Sequence, residues 1–117
     1  FHLVNAYRAI YGLQTLKWSE SAATAARLHC EDMRDQNYFE HDSLDGRTFV
    51  DRLDAQGISY RACGENIAWG QGNGFTAFNA WLNSYGHRQN MLYPTFTHLG
   101  VGACTGPYWT QDFYGEW

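Results

Sequence analysis

Apolar positions along this chain recur first with the period of a helix and, near the end, in short strand-like runs. In the segment HLVNAYRAIYG, Leu3, Tyr7, Ile10 and Tyr11 form one stripe, which Gly12 ends. The stretch GLQTLKW reads as a turn. Ser19 is then a good N-cap, with Glu20 in the first turn where the helix dipole favours an acid. The helix it opens carries Ala22, Ala26, His29 and Met33 on one face, a mostly small stripe that demands a closely packed neighbour. His29, lying on that stripe, reads as a core or boundary histidine. Asp45-Gly46 marks a turn, and a short helix with Phe49, Val50 and Leu53 runs from there to Gly57.

NIAW reads as a buried strand. GQGNG is a loop; it lacks the lysine and the Ser/Thr of a phosphate-binding P-loop, so it reads as a turn. FTAFNAWL returns to helical spacing, with Phe75, Phe78, Trp81 and Leu82 on one face and Gly86 at its end. HRQNML adds a further turn before Pro94 forbids continuation. HLGVGAC and YWTQDFY, joined by TGP, carry a hairpin signal. Helices come first and antiparallel strands last, without β-α-β alternation, so the fold class is α+β.

At 117 residues the chain is one domain, residues 1–117. Only 17% of residues are charged, against roughly 25% in an average domain, while 17% are aromatic, so a compact core is expected. A net charge of −4 supplies no basic footprint for nucleic acid. No run of about 18 apolar residues is present to cross a membrane. The chain opens at Phe1 with no methionine and no charged-then-apolar leader, which leaves open a cleaved signal peptide or a domain cut from a longer protein.

The cysteines are Cys30, in a helical segment, and Cys63 and Cys104, in strand-like ones. If the two strands are neighbours, a Cys63–Cys104 disulfide is within reach; three reduced thiols serving as small apolar residues is the other reading.

His41, Glu65 and His87 are the candidate ligands away from the core stripes. Two imidazoles and a carboxylate suit zinc, which keeps an open position when three protein groups bind it. Their spacing is too wide for any compact ligand motif, and each has a plainer role. His41 would fix its loop by a hydrogen bond. Glu65 would cap backbone N–H groups beside Gly64, and Asn66 would make a local side-chain-to-backbone bond. His87 would sit just past a helix end and bond its last carbonyls. Asp42 and Ser43 adjoin His41, but neighbours in an extended loop point opposite ways and make no triad. His98 opens a strand and reads as a surface or pairing residue.

Taken together, NYFEHDS, GENIAWG, AWLNSYGHRQNML, FTHLGVG and YWTQDF, in that order, resemble the CAP superfamily of cysteine-rich secretory, antigen 5 and pathogenesis-related proteins, in its short bacterial form with a single CAP/SCP domain. The resemblance runs from LVNAYRAIYGLQTLKW to YWTQDF. It implies a three-layer α-β-α sandwich around a small antiparallel sheet, a secreted or envelope-attached protein, and a cleft where two histidines and two glutamates converge. Carried over, the histidines are His41 and His87 and the first glutamate is Glu65. The second glutamate lies three residues after the helix tryptophan in many relatives. That position is Ser84 here, followed by Tyr85, so the set is incomplete. The resemblance implies a divalent cation, zinc first, on His41, His87 and Glu65, bound more weakly for want of the second carboxylate. The function expected is a binding module with an apolar groove for a lipid or sterol-like ligand. Two alternatives stand beside it: a metal-assisted, peptidase-like hydrolase with Glu65 as the acid–base group, and an envelope interaction module with a vestigial cleft.

Overall fold

A computed structural model describes residues 1–117. The elements run α1 (His2–Ile10), β1 (Lys17–Trp18), α2 (Glu20–Gln36), α3 (Phe49–Ala55), β2 (Ala62–Trp69), α4 (Gly74–Leu82), α5 (Tyr85–Met91), β3 (His98–Cys104) and β4 (Tyr108–Gly115). The strands form one sheet in the order β1-β3-β4-β2. The three long strands are antiparallel, while the two-residue β1, inside the stretch expected to be a turn, adds a parallel pairing to β3.

Helices cover both faces, giving three layers. On one face α2 packs against β3 and β4, and α3 against β2; on the other, α4 and α5 pack against β2, with α1 beside α4. The small stripe on α2 finds its close neighbour in two strand glycines. A Cβ at Gly100 would lie 2.0 Å from the Ala23 nitrogen, and one at Gly102 would lie 2.3 Å from the Arg27 nitrogen. Only glycine lets helix and strand approach this far.

Local chemistry sets the ends of the elements. Ser19 caps α2 by accepting from the Ala22 N–H. Thr48 and Asp51 form a reciprocal capping box on α3. Asn73, inside the glycine-rich loop, caps α4. Gly86 does not end α4: that helix stops at Leu82, and Gly86 is the second residue of α5, which restarts behind Ser84. Arg8, fully buried in α1, donates to the carbonyls of Gln14, Met91 and Tyr93 and so ties α1 to the end of α5.

The register rules out a Cys63–Cys104 disulfide. Cys63 on β2 pairs with Tyr114 and Cys104 on β3 pairs with Tyr108, so β4 lies between the two strands. Their partners also lie six positions apart along β4, about 20 Å at the rise of a strand. All three thiols are free.

Candidate functional site

The site is built around β2, an outer strand of the sheet. Successive strand residues point to opposite faces. Glu65 turns toward the α2–α3 layer and Asn66 toward the α4–α5 layer, and each meets one of the two histidines' segments.

Glu65 is buried and fully engaged. Arg52, itself buried on α3, places Nη2 2.8 Å from Oε1 and 3.0 Å from Oε2. His41 Nδ1 donates to Oε2 at 2.9 Å. Arg52 Nη1 also donates to Ser43 Oγ at 3.2 Å, so the guanidinium grips the loop bearing His41 as well. Burial pushes the Glu65 carboxyl up, but the hydrogen bonds from His41 and Asp112 and the charge of Arg52 outweigh it, and Glu65 stays below its ordinary range. Its expected role in capping backbone N–H groups is not the one observed.

Asp112 faces Glu65 across the β2–β4 ladder and is completely buried, with no N–H or hydroxyl donor on either oxygen. Burial, then the charge of Glu65, raise its pKa well above the usual range. Asp112 therefore keeps its proton where an ordinary carboxylate has lost it. It is a second carboxyl beside Glu65, supplied by β4 rather than by the segment after Trp81.

His41 leaves its side chain about half exposed. With Nδ1–H held by Glu65, its Nε2 is free to accept a proton or bind a ligand. The Glu65 hydrogen bond raises its pKa, burial opposing. His29 is the core histidine expected: it is buried, its Nε2–H donates to the Glu40 carbonyl at 2.9 Å, and it thus steadies the His41 loop from below. Burial lowers its pKa.

His87 lies inside α5, not past the end of α4. Arg88 takes the role of bonding a terminal carbonyl of α4, with Nη1 2.8 Å from the Leu82 oxygen. The His87 backbone carbonyl accepts from Asn66 Nδ2 at 3.1 Å, and Asn90 Nδ2 donates to Asn66 Oδ1 at 2.9 Å. Asn66 thus bonds across the structure rather than within its own turn. Burial, and then the charge of His41, lower the His87 pKa. Ser84 is the N-cap residue of α5 without a side-chain capping bond, and Tyr85 is exposed.

The segments of His41 and His87 thus both bond to β2, through Glu65 and Asn66, but not as a ligand set: no three His, Cys, Asp or Glu side chains are arranged to hold a metal ion. Both oxygens of Glu65 are committed to Arg52 and His41, whose bonds a cation would have to displace. As the side chains stand, Glu65 does not fit a divalent cation; the free imidazole nitrogens are the ligands on offer. Nor is Glu65 a free base. What the arrangement can do is present His41 Nε2 with its tautomer fixed by a buried carboxylate.

On the opposite face of the sheet, the start of α1 and α4 bound an apolar groove of about 230 Å³, lined by twelve residues of which nine are hydrophobic. Phe1, Leu3 and the exposed Phe75 stand at its rim, with Trp81 and Trp109 deeper in. The two indole N–H groups are spent on the carbonyls of Ile67 and Gln71, so these rings offer only apolar surface. Gln111 also lines the groove, and its Oε1 accepts from Asn66 Nδ2 at 3.0 Å, one side chain away from the His87 carbonyl.

Comparison with known proteins agrees with this architecture. A profile described as "CAP: Cysteine-rich secretory protein family" matches residues 1–114. The chain is 45% identical over 115 residues to the uncharacterized protein YkwD of Bacillus subtilis (strain 168), covering 97% of this chain and 45% of that protein. It is 41% identical to the uncharacterized membrane protein YlbC of the same organism, covering 98% of this chain and 33% of that one. The chain thus spans less than half the length of these curated relatives. Among solved structures, an extracellular protein containing a SCP domain from Bacillus anthracis superposes with a TM-score of 0.96 at 41% identity, over 99% of this chain and 39% of that one. An outer surface protein of Borrelia burgdorferi shares the fold, with a TM-score of 0.90 at 19% identity, over 99% of this chain and 89% of that one.

Proposed function

Because this chain belongs to the CAP family of cysteine-rich secretory proteins, we infer that it is an extracellular binding module whose ligand is an apolar chain held in the groove between α1 and α4. The observation that carries this reading is the groove itself: about 230 Å³, nine of twelve lining residues hydrophobic. Ligand sites for drug-sized molecules occupy about 300–1,000 Å³, so this groove suits one narrow acyl chain better than a fused-ring sterol. Extracellular placement is supported by the Bacillus anthracis protein of the same fold, which is described as extracellular. No helix here is long and apolar enough to cross a membrane.

The test is thermal denaturation with palmitate and with cholesterol, each carried by cyclodextrin. Mass action raises Tm in proportion to RT ln(1 + [L]/Kd), so palmitate raises Tm and Phe75→Ser abolishes the rise. No shift with either probe sinks the reading.

A second reading concerns His41 and His87. Two half-buried imidazoles, coupled by charge on segments that both bond to β2, favour a weak divalent-cation site. Zinc calorimetry near neutral pH tests it; binding lost in both His41→Ala and His87→Ala supports the pair, and binding unchanged in either removes it. Glu65 as acid–base group of a hydrolase has less support, since Arg52 and His41 occupy both its oxygens. An envelope-interaction role remains as the outcome in which neither lipid nor zinc binds.

A further inference from the structure

We propose that Cys30 and Cys104 form a disulfide that staples α2 to β3 when the protein meets a low-molecular-weight disulfide. The argument starts from the close approach of helix and strand. Ala23 lies over Gly100 and Arg27 over Gly102, so four helix residues advance with two strand residues. These are nearly equal lengths, about 6.0 Å of helix and about 6.6 Å of strand. One further step reaches Glu31 over Cys104, with Cys30 its neighbour in the same turn of α2. Residues 102 and 104 point to the same face of β3. The Cys30 sulfur already lies 3.3 Å from the Gly102 carbonyl and 3.1 Å from Thr110 Oγ1, and Thr110 is the ladder partner of Gly102. Cys104 packs against the apolar cluster that contains Cys30, Met33, Ile67 and Tyr108. Each thiol lies near enough to perturb the other's ionisation. Cys63 packs instead with Leu53 and Tyr114 at the far end of the sheet and serves as an internal control.

The exposures of the two thiols order the chemistry. Cys104 is partly exposed and is the entry thiol; Cys30 is completely buried and resolves. Cys104 gives its proton to solvent, and its thiolate attacks one sulfur of RSSR, forming Cys104–S–S–R and releasing RS⁻, which takes up a proton. Cys30 then loses its proton to solvent, and its thiolate attacks the Cys104 sulfur and expels the second RS⁻, protonated in turn. Two protein thiols are oxidised to one disulfide while RSSR is reduced to two RSH. Burial pushes the Cys30 thiol up to about 12, so the second step is the slow one. The staple closes in the second half of α2, one residue beyond His29, which holds the Glu40 carbonyl and thereby the His41 loop. Oxidation thus stiffens the arm that presents His41.

The experiment incubates the folded protein with oxidised glutathione, caps the remaining thiols, and follows intact mass, peptide maps and Tm. The expected course is a glutathione adduct on Cys104 that converts to a product lighter than the reduced protein by two hydrogens, with Cys30 and Cys104 in one linked peptide. Tm rises on the order of 10 °C. Cys63→Ser behaves as wild type; Cys104→Ser, at a partly exposed position, keeps the fold and forms no internal link. A link through Cys63, an adduct on Cys104 that never resolves onto Cys30, or thiols unchanged after prolonged incubation would each overturn the proposal.

Discussion

The two faces of the sheet treat their polar groups in opposite ways. Toward α2 and α3, Arg52 and His41 engage both oxygens of Glu65 and Arg52 also holds Ser43, while Asp112 is left without an N–H or hydroxyl partner. Toward α1 and α4, the indole N–H groups are used up and the groove presents a mostly apolar surface. A ligand gains most where the protein has left contacts unmade. The face richest in recognisable chemistry is therefore the more self-contained one, and the plainer face is the more receptive.

The sharpest way to break this comparison is Arg52→Met. If the charged face is held by mutual satisfaction, removing the guanidinium strands Glu65 beside Asp112 and costs about 3–5 kcal/mol in denaturant unfolding. A loss below about 1 kcal/mol would mean that Glu65 finds other partners. Gly100→Ala probes the same face by packing: its Cβ meets α2 backbone, and overpacking of this kind costs about 1–3 kcal/mol. Asp112→Asn sharpens the picture. Near pH 3.8, where the raised pKa keeps the Asp112 carboxyl protonated, exchange for a neutral amide changes stability by less than about 1 kcal/mol. A folded pKa above the unfolded value contributes stability that is complete below the ordinary 3.8 and is lost as pH rises through the folded pKa. Urea unfolding across pH should show this decline in wild type and not in Asp112→Asn. Glu65, shifted the other way, contributes stability above 4.5 that disappears as pH falls through its folded value.

The smallest effects lie at the rim and on the imidazoles. Phe75→Ser, at a site 66% exposed, alters stability by no more than about 0.5 kcal/mol while removing the palmitate response. In proton NMR titrations, His41 should titrate above 6.5 and His87 below it. His41→Asn should move the His87 titration upward, because a positive neighbour is gone; an unmoved His87 would separate the two imidazoles.

The layers of the fold were legible from periodicity because helix stripes and a hairpin leave strong patterns. The site was legible only in part. His41, Glu65 and His87 stood out through their motifs, but their partners did not. Arg52 lies on the stripe Phe49, Arg52, Leu53, Gln56, so a charge placed among buried positions was the available signal. Arg8 gives the same signal one turn after Val4 on α1. Asp112 carried none: YWTQDFY reads as an alternating strand with polar positions free to face water. Only the sheet order makes β4 an inner strand without a solvent side. Strand order depends on long-range pairing, which local pattern does not encode.

That inner strand has a consequence for the fidelity of folding. Along β4, Trp109 faces the groove while Thr110 and Asp112 face α2. A slip of a single residue during pairing would exchange the two sets, setting a carboxyl in the apolar groove and an indole where α2 nearly touches the sheet. Neither arrangement packs well: one buries an acid among hydrocarbon, and the other sets a bulky ring where Thr110 and Asp112 now face α2. The features that make the two faces chemically unlike thus also act as a proofreading device, which rejects the misaligned strand before the layers lock.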